Sequence, residues 1–323
     1  MAEPLRTRRE HAVPHTSSTS NPILVIGATG RHGNTGEHVV RSLREQGYRV
    51  RVLARRLDDR TASLESLGVE VTIGDLHQRR SLVPALADVD LAYFTYPVAP
   101  GVVVAAANFA SAVREVGRHP RTVVMSMGAA HPDHPSELAR SQWLAEEILQ
   151  WAGLNVLILR VAALFHENLD VLHAESVREH GVIRNSFGDS SIGWINGRDA
   201  ANLAVAGLLH PERFDEPVVY PAGPESFSHS EIAGMLTEIL GENVRFEATS
   251  ASQWRHELEQ QVDDVVNHGM AQHISAVGEA IARSGSAIPT DPEKLRELAG
   301  HEPLTLREFL TAGRRSFQRT PQP

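Results

Sequence analysis

The sequence predicts an α/β fold in which a doubly wound parallel sheet is joined to a smaller, mainly helical C-terminal lobe. Three observations favour this fold. Short apolar runs alternate with stretches of helical periodicity through the first half of the chain. The first apolar run ends in a glycine-rich turn. After residue 160 the alternation loosens, and helical patterns with irregular connections predominate.

The predicted strands are short and separated by helical stretches. The first is apolar throughout, which is typical of a parallel strand buried on both faces. The strands are predicted at 22–26, 49–54, 69–73, 91–94, 122–126, 155–159 and 217–220. Helices are predicted at 82–87, 102–116, 137–151 and 199–209, and after the glycine-rich turn, where Val39, Val40 and Leu43 share a face. This alternation implies right-handed crossovers between parallel strands.

Composition excludes several classes of protein. The chain of 323 residues has a net charge of -9, which gives a nucleic-acid partner no electrostatic support. Because it has no cysteine, disulfides, thiolate nucleophiles and cysteine-ligated zinc are excluded. No apolar run reaches the roughly 18 residues of a membrane-spanning helix, and the N-terminal stretch lacks the apolar core of a secretory signal. We therefore expect a cytoplasmic protein without nucleic-acid or membrane partners, either a monomer or a weak homo-oligomer.

The glycine-rich turn at 27–36 follows the first strand and opens the first helix. Glycine at every third position suits a dinucleotide loop, which needs a tight turn, close backbone approach to a pyrophosphate and close helix–strand packing. The helix N-terminus adds free N–H groups and the positive end of its dipole. We therefore predict a Rossmann-type fold whose loop contacts the cofactor through Gly27, Thr29, Gly30, Arg31, His32, Gly33 and Gly36.

The end of the second strand favours NADP(H) over NAD(H). NAD sites place an acidic residue there to hold the ribose 2′-hydroxyl, but this sequence has Ala54-Arg55-Arg56. Arg55 or Arg56, together with Arg31, would bind a 2′-phosphate through charge-assisted hydrogen bonds. The alternative is that these arginines are solvated surface charges. Later strand ends supply four further candidates for the cofactor site, namely Asp75, Leu76, Thr95 and Tyr96.

These features predict the domain organisation. Residues 1–21 are polar and rich in Pro, Ser and Thr, which is typical of a disordered leader. Residues 22–163 form the nucleotide-binding domain, to which 190–220 return. Residues 164–189 and 221–323 form a substrate lobe and lid over the carboxyl ends of the strands, where ligands bind in such folds.

Together the motifs resemble the NmrA-like branch of the atypical short-chain dehydrogenase/reductases. The resemblance runs from about 22 to 318 and includes 27–36, 74–76, 124–126, 152–160, 167–168, 194–199 and 304–310. It implies NADP(H) binding but no single activity, because the family contains enzymes, redox sensors and regulators. The loop is longer than the family's usual GATGxxG turn. Counting back from Gly47 places the usual third glycine at Gly36 rather than Gly33.

The resemblance also implies a catalytic Tyr-x-x-x-Lys pair on the helix after the fifth strand. Leu138 and Gln142 stand at those positions. The motif is absent elsewhere too, because the only lysine is Lys294 and the four tyrosines are Tyr48, Tyr93, Tyr96 and Tyr220.

Without this pair, the proton needed in a reduction must come from the substrate, from water or from a non-standard side chain. The catalytic candidates are Ser126, Gln142 and His166, and Tyr96 is a candidate for a displaced phenol donor. His131 and His134 flank Pro132-Asp133 without a third ligand at a suitable spacing, so we expect surface-loop residues and no metal site.

Three functions remain open. The first is an NADPH-dependent ketoreductase of natural-product biosynthesis that acts on a polycyclic aromatic ketone, such as an angucyclinone, whose own phenol can supply the proton. This class is favoured by analogy with family members. The second is an NADPH quinone reductase, whose product oxyanion is a stabilised phenolate. The third is a non-enzymatic NADP sensor that binds a partner protein. An open apolar pocket beside the cofactor would favour an enzyme, and a filled one would favour a sensor.

Overall fold

The computed structural model describes residues 21–30, 33–261, 266–286 and 288–319, in which strands and helices alternate. The strands are β1 (Ile23–Ile26), β2 (Val50–Ala54), β3 (Glu70–Ile73), β4 (Leu91–Thr95), β5 (Arg121–Met127), β6 (Val156–Val161), β7 (Leu164–Phe165), β8 (Val182–Asn185), β9 (Ile192–Ile195), β10 (Val218–Val219), β11 (Glu225–Phe227) and β12 (Arg245–Ala248). The helices are α1 (Thr35–Glu45), α2 (Asp59–Glu65), α3 (Arg79–Ala85), α4 (Val102–Val116), α5 (Glu137–Trp151), α6 (Glu167–His180), α7 (Gly197–Leu209), α8 (His229–Leu240), α9 (Ala251–Gln260), α10 (His268–Ser284), α11 (Pro292–Ala299) and α12 (Leu306–Ala312).

The central sheet has seven parallel strands in the order β3-β2-β1-β4-β5-β6-β10. Strand β1 pairs with β2 on one side and with β4 on the other, so the strand order reverses between β1 and β4. Ligands of doubly wound folds bind outside the carboxyl ends of the strands at such a point. The prediction of a Rossmann-type, doubly wound α/β fold is confirmed.

Side chains of the central strands alternate between two hydrophobic cores. Ile23 and Val25 pack with α1 and α7 on one face, whereas Leu24 and Ile26 pack with α3, α4 and α5 on the other. All four side chains are buried. The apolar run is uninterrupted because a strand covered by helices on both faces has no side that meets solvent.

The second lobe is mainly helical, as predicted, but it also contains two small sheets. In one, β9 lies between β7 and β11, and in the other β8 pairs with β12. These strands were not predicted, because runs of two to four residues are too short to show a periodicity. Helices α6, α8 and α12 enclose the core of this lobe, which contains Trp194 and Leu236.

The chain crosses between the two units more often than the predicted boundaries allow. Helix α7 and strand β10 lie with the central sheet, but β9, from the same segment 190–220, belongs to the second lobe. Helix α11, which belongs to segment 221–323, packs on α7. Its Leu295 and Leu298 are part of the hydrophobic core on that face of the central sheet. The sequence pattern did not distinguish these placements, because a short amphipathic element can be buried against either unit.

The predicted leader, 1–21, lies outside the described residues except for Asn21, whose side-chain amide donates to Asp90 Oδ2 at 2.8 Å. Within the described part of the chain, every helix is too short or too polar to cross a membrane.

Candidate active site

A cleft of about 720 Å³ runs along the carboxyl ends of the central strands and continues between the sheet and the second lobe. We call the part beside the glycine loop and β2–β4 the loop half. We call the part beside β5, β6, α5, α6 and α10 the inner half. The loop half brings together most of the predicted cofactor residues, namely Gly27, Thr29, Gly30, Gly36, Arg55, Arg56, Asp75, Leu76, Thr95 and Tyr96.

The glycine loop is held close to the ends of β1 and β4. Gly27 has a φ of 85°, and a Cβ there would lie 2.3 Å from Thr95 Cγ2. A Cβ on Gly36 would lie 2.5 Å from the carbonyl oxygen of Gly27, so α1 packs directly on the loop. The buried Tyr93 hydroxyl donates to Thr35 Oγ1 at 2.9 Å, which ties the start of α1 to β4. The first residues of α1, Thr35 and Gly36, therefore line the cleft, and a helix N-terminus is a position that favours phosphate groups.

Gly33 lies outside the cleft lining, so the prediction that it contacts a cofactor is corrected. It has a φ of 61°, and a Cβ there would lie 3.0 Å from the Phe165 ring. Its carbonyl oxygen is so close to Gly197 that a Cβ on that residue would lie 1.7 Å away. The loop carries Gly33 towards α7, whereas Gly36 packs on Gly27 and lines the cleft. The other two predicted loop residues, Arg31 and His32, lie outside the described residues.

Three arginines surround one end of the loop half. Arg55 and Arg56 follow β2 and are exposed, and Arg60 projects from the first turn of α2. Arg60 Nη1 donates to the Thr29 carbonyl oxygen at 3.0 Å, while Arg56 and Arg60 approach Asp58 Oδ2 at 3.5 and 3.4 Å. Within the described chain, Arg55 has no hydrogen-bond or ion-pair partner. The donor set fits a 2′-phosphate, because guanidinium groups bind phosphate oxygens in pairs.

Asp75 and Leu76 form the opposite wall of the loop half. Asp75 Oδ1 accepts from the His77 backbone N–H at 2.8 Å, and the Asp75 backbone N–H donates to Ser81 Oγ at 2.9 Å. These bonds hold the turn after β3. Because Asp75 Oδ2 has no partner among the described residues, it can accept a hydrogen bond from a ligand amino group.

The Tyr96 hydroxyl, a candidate for a displaced phenol donor, has partners within the protein in this structure. It lies 2.8 Å from His77 Nε2 and donates to the Pro100 carbonyl oxygen at 3.1 Å. Burial raises the pKa of Tyr96, so the phenol stays protonated. Its proton is directed to the Pro100 carbonyl oxygen, and the residue lines the cleft.

The inner half is lined by apolar, aromatic and neutral polar side chains. Over the described ranges, no Asp, Glu, Lys or Arg lines this part of the cleft. Burial lowers the pKa of His173 and His273 to about 4 and that of His229 to about 3, so their imidazoles are neutral at physiological pH. An ionic group of a ligand would find no opposite charge there, so the inner half suits a neutral aromatic molecule.

Ser126, at the end of β5, reaches the inner half, but its hydroxyl is committed to Glu146. Ser126 Oγ donates to Glu146 Oε1, and Glu146 Oε2 accepts from Arg160 Nε at 2.8 Å and Nη2 at 2.5 Å. Burial raises the pKa of Glu146, and the bonds from Arg160 and Ser126 oppose that shift. While Arg160 holds the carboxylate, Ser126 offers a ligand its lone pairs rather than its proton.

Gln142 lies one helical turn before Glu146 on the buried face of α5, at the position where the family's lysine would stand. It lines the inner half, and its side-chain amide has no hydrogen-bond partner among the described residues. The amide therefore can donate to a substrate carbonyl oxygen. It cannot give up a proton, because a neutral amide is not an acid in water.

The structure places His166 outside the cleft, which corrects its prediction as a catalytic acid. The ring is fully buried against Phe309, with centroids 5.4 Å apart, and neither ring nitrogen has a partner within the described chain. Burial lowers its pKa to about 4. Phe165, before α6, and Asn168, in its first turn, line the cleft, while the His166 ring packs on Phe309 of α12.

His131 and His134 have structural roles in their loop. His131 Nδ1 accepts from the Asp133 backbone N–H at 3.1 Å, and His134 Nδ1 accepts from the Ser136 backbone N–H at 3.0 Å. No group of three His, Asp or Glu side chains suited to a metal ion occurs in the part of the chain that the structure describes.

Sequence reasoning missed five residues of the site. They are Arg60, Glu146, His173, His229 and His273. Glu146 had a usable signal, because it follows Gln142 by four positions on the buried face of a helix. The three histidines stand in no motif and come together only in the folded chain.

The model of the NmrA-like family matches residues 19–310. The chain belongs to the NmrA-like family. This confirms the resemblance carried by the glycine loop and the later motifs.

Two relatives of this NmrA-like protein align over most of its length. The NAD(P)H azoreductase of Xenophilus azovorans is 30% identical, over 91% of this chain and 99% of that protein. A (4-alkanoyl-5-oxo-2,5-dihydrofuran-3-yl)methyl phosphate reductase from Streptomyces griseus is 29% identical, over 89% of this chain and 96% of that protein.

Solved structures share the fold. The NADPH complex of an NADPH-dependent quinone oxidoreductase from Escherichia coli has a TM-score of 0.76, with 22% identity over 90% of this chain and 99% of that one. The NADP(H) complex of the triphenylmethane reductase from Citrobacter sp. has a TM-score of 0.73, with 22% identity over the same shares of the two chains. At these identities the likeness concerns the fold alone.

Proposed function

We propose that this NmrA-like protein is an NADP(H)-dependent reductase of neutral, planar aromatic acceptors, with quinones as the preferred substrate class. One observation carries the proposal. A continuous cleft joins a glycine loop and three arginines to an uncharged, aromatic-lined chamber. The first part suits a phosphorylated dinucleotide, and the second suits a neutral aromatic molecule.

The loop half supports NADP(H) as the cofactor. Gly27 and Gly36 leave room for close backbone approach, and the arginines after β2 supply the charge for a 2′-phosphate. NADPH, when bound, supplies the hydride. The relatives that align over most of the chain include an NAD(P)H azoreductase, which supports an oxidoreductase of this cofactor class.

The open inner half favours an enzyme over a sensor. A sensor needs a nucleotide site but no chamber for a second small molecule. Here the cleft continues past Ser126 and Gln142 to Trp194 in the core of the second lobe. A chamber of this depth next to the cofactor site is typical of substrate pockets.

The polar groups of the inner half favour a quinone over the ketone that the sequence suggested. An alkoxide formed from a ketone requires a strong proton donor, but Ser126 donates to Glu146 and the lining histidines are neutral. A reduced quinone is a stabilised phenolate, which needs only a polarising hydrogen bond such as the Gln142 amide supplies. A polycyclic ketone with an adjacent phenol, as in natural-product biosynthesis, is the second candidate, because it carries its own acid.

The test is NADPH oxidation, followed at the nicotinamide absorbance band together with product mass. The panel contains naphthoquinones, aromatic ketones with and without an adjacent phenol, and an azo compound. We expect turnover with quinones first, and with ketones only where the phenol is present. Tight NADPH binding without reduction of any acceptor would overturn the proposal and favour a sensor.

A further inference from the structure

The imidazoles of two histidines that line the inner half of the cleft have no hydrogen-bond partner among the described residues. His173 projects from α6 and His229 from the start of α8, and both line the inner half. Their residues are 3% and 1% exposed. Neither ring nitrogen of either residue has a protein partner among the described residues, and both Nδ1 atoms are fully buried. Because both Nδ1 atoms are sealed from the cavity, Nε2 is the atom of each ring that can meet a ligand. Buried polar groups are nearly always satisfied, so an unpaired Nε2 at a cavity wall indicates a missing partner.

Aromatic neighbours hold both rings in place. The His229 ring stacks on Phe246 at 5.7 Å and meets the edge of Trp194 at 5.5 Å, measured between centroids. The His173 ring stacks on Trp254 at 6.3 Å and lies edge-on to His229 at 5.9 Å. None of these neighbours satisfies the imidazoles, since Trp194 Nε1 already donates to the Phe227 carbonyl oxygen. The two histidines are therefore fixed and face the chamber with unused hydrogen-bonding capacity.

The chemistry of this pair selects the class of ligand. A neutral imidazole has one N–H donor and one acceptor nitrogen, and its tautomer decides which of the two is Nε2. The two Nε2 atoms of the pair can therefore present one donor and one acceptor to the chamber. A neutral hydroxyl group has the same two functions and matches the pair. A carboxylate or sulfonate does not match, because no cationic side chain lines the inner half within the described ranges.

We propose that His173 and His229 form a distal subsite that binds a neutral hydroxyl group of the aromatic substrate. This proposal rests on the proposed function, because it specifies a substituent of the same substrate. It assigns recognition to two side chains that take no part in the chemistry. His166 is the natural control, since it is equally buried and unpaired but lies outside the cleft.

The first test compares naphthoquinones that carry a hydroxymethyl, an ethyl or a carboxylate group at one carbon of the ring distal to the quinone. We expect kcat/KM for the hydroxymethyl compound to exceed that for the ethyl compound by about tenfold, the effect of one buried hydrogen bond. The carboxylate compound should be the poorest. This comparison uses the wild-type chain only, so it does not depend on whether any variant folds.

The second test uses H173F and H229F, which keep the ring and remove the hydrogen bonds. Both should lose the preference for the hydroxymethyl compound over the ethyl compound. H229N should keep part of the preference that H229F loses, because an amide can also donate and accept hydrogen bonds. H166F should keep the full preference. Retention of the preference in H173F and H229F, or equal loss in H166F, would overturn the subsite.

Equilibrium binding separates this proposal from the proposed function. Calorimetry measures the affinity of NADP⁺-saturated protein for the hydroxymethyl and ethyl compounds. If no acceptor of the panel is reduced but the hydroxymethyl compound still binds more tightly, the proposed function fails and the subsite stands. If quinones are reduced but neither kinetics nor binding distinguishes the two substituents, the subsite fails and the proposed function stands.

Discussion

At the residue scale, the chemistry of the site depends on which polar groups are already paired. Ser126 and Gln142 both line the inner half, and both are catalytic candidates from the sequence. The structure separates them, because the Ser126 hydroxyl donates to Glu146 while the Gln142 amide is unpaired within the described chain. Gln142 is therefore the side chain expected to polarise a substrate oxygen, and Ser126 an acceptor beside it.

The role of Gln142 predicts the effect of Q142L, which keeps the size of the side chain and removes its donors. We expect kcat/KM for a quinone to fall about tenfold to hundredfold, because a donor to the developing oxyanion is lost. The Kd of NADPH should not change. Steady-state kinetics and fluorescence titration check this. The control is Q150L, which alters an exposed glutamine of the same helix, and an equal loss in that variant would contradict the assignment.

We expect Arg55 to discriminate between NADPH and NADH, because only NADPH carries a 2′-phosphate. It is the member of the arginine group without a partner in the described residues, so it is free to bind a 2′-phosphate. R55A should raise the Kd of NADPH about tenfold and leave that of NADH unchanged, because a hydrogen bond to a charged group contributes roughly 1.5–3 kcal/mol. R80A, an exposed arginine of α3 away from the cleft, is the control. A parallel loss of affinity for both nucleotides would assign Arg55 another role.

At the scale of elements, two contacts shape the cleft. Helix α1 packs on the loop through Gly36, where a Cβ would lie 2.5 Å from the Gly27 carbonyl oxygen. Helix α10 is tied to the start of α5, since Ser136 Oγ contacts His273 Nδ1 at 2.7 Å and Gln272 Oε1 accepts from the Glu137 N–H at 3.2 Å. These contacts position the loop half and one wall of the inner half.

A pair of glycine substitutions tests the packing of α1. G36A should lower the free energy of unfolding by about 1–3 kcal/mol, because the added methyl group has no room. G234A should raise it by about 0.5–1 kcal/mol, since Gly234 lies within α8 and a Cβ there meets nothing within 4 Å. Urea unfolding of both variants checks the prediction. Similar free energies of unfolding for the two variants would show that a methyl group at position 36 fits between α1 and the loop.

At the scale of the whole molecule, the described residues include three buried histidines and one half-buried histidine, His273, in their neutral form. Their pKa values are lowered by burial, to about 4 for His166, His173 and His273 and about 3 for His229. The unfolded chain binds protons at these sites below about pH 6.5, whereas the folded chain does not. Their contribution to stability is complete above that pH and is lost as the pH falls towards 4. Burial raises the pKa of Glu167 to about 7, which opposes this trend.

One variant isolates this effect. H166F removes a buried imidazole without touching the cleft, so its stability should depend less on pH than that of the wild type. The difference should amount to about 1.4 kcal/mol per pH unit between about pH 6 and 4.5. Urea midpoints measured across this window check the prediction, with H131N, in an exposed loop, as the control. Parallel pH profiles for wild type and H166F would mean that His166 titrates normally when folded.

The local signals of the sequence predicted the sheet, the glycine loop and the family, because each depends on residues close together in the chain. The uninterrupted run of apolar residues in β1 indicates burial on both faces. The absence of any Tyr-x-x-x-Lys follows from the composition, since the chain has a single lysine. NADP(H) was predicted in the same way, from the arginines that directly follow β2.

The tertiary structure alone decided which side chains meet. His166 immediately precedes α6 and His173 lies two turns further along the helix, yet one packs on α12 and the other lines the cleft. His173 and His229 become neighbours only when α6 and α8 pack together. The pairing of Ser126 with Glu146 requires α5 to lie against β5. Sequence periodicity reports which face of an element is buried, but the direction and partner of a buried polar side chain depend on packing between distant segments.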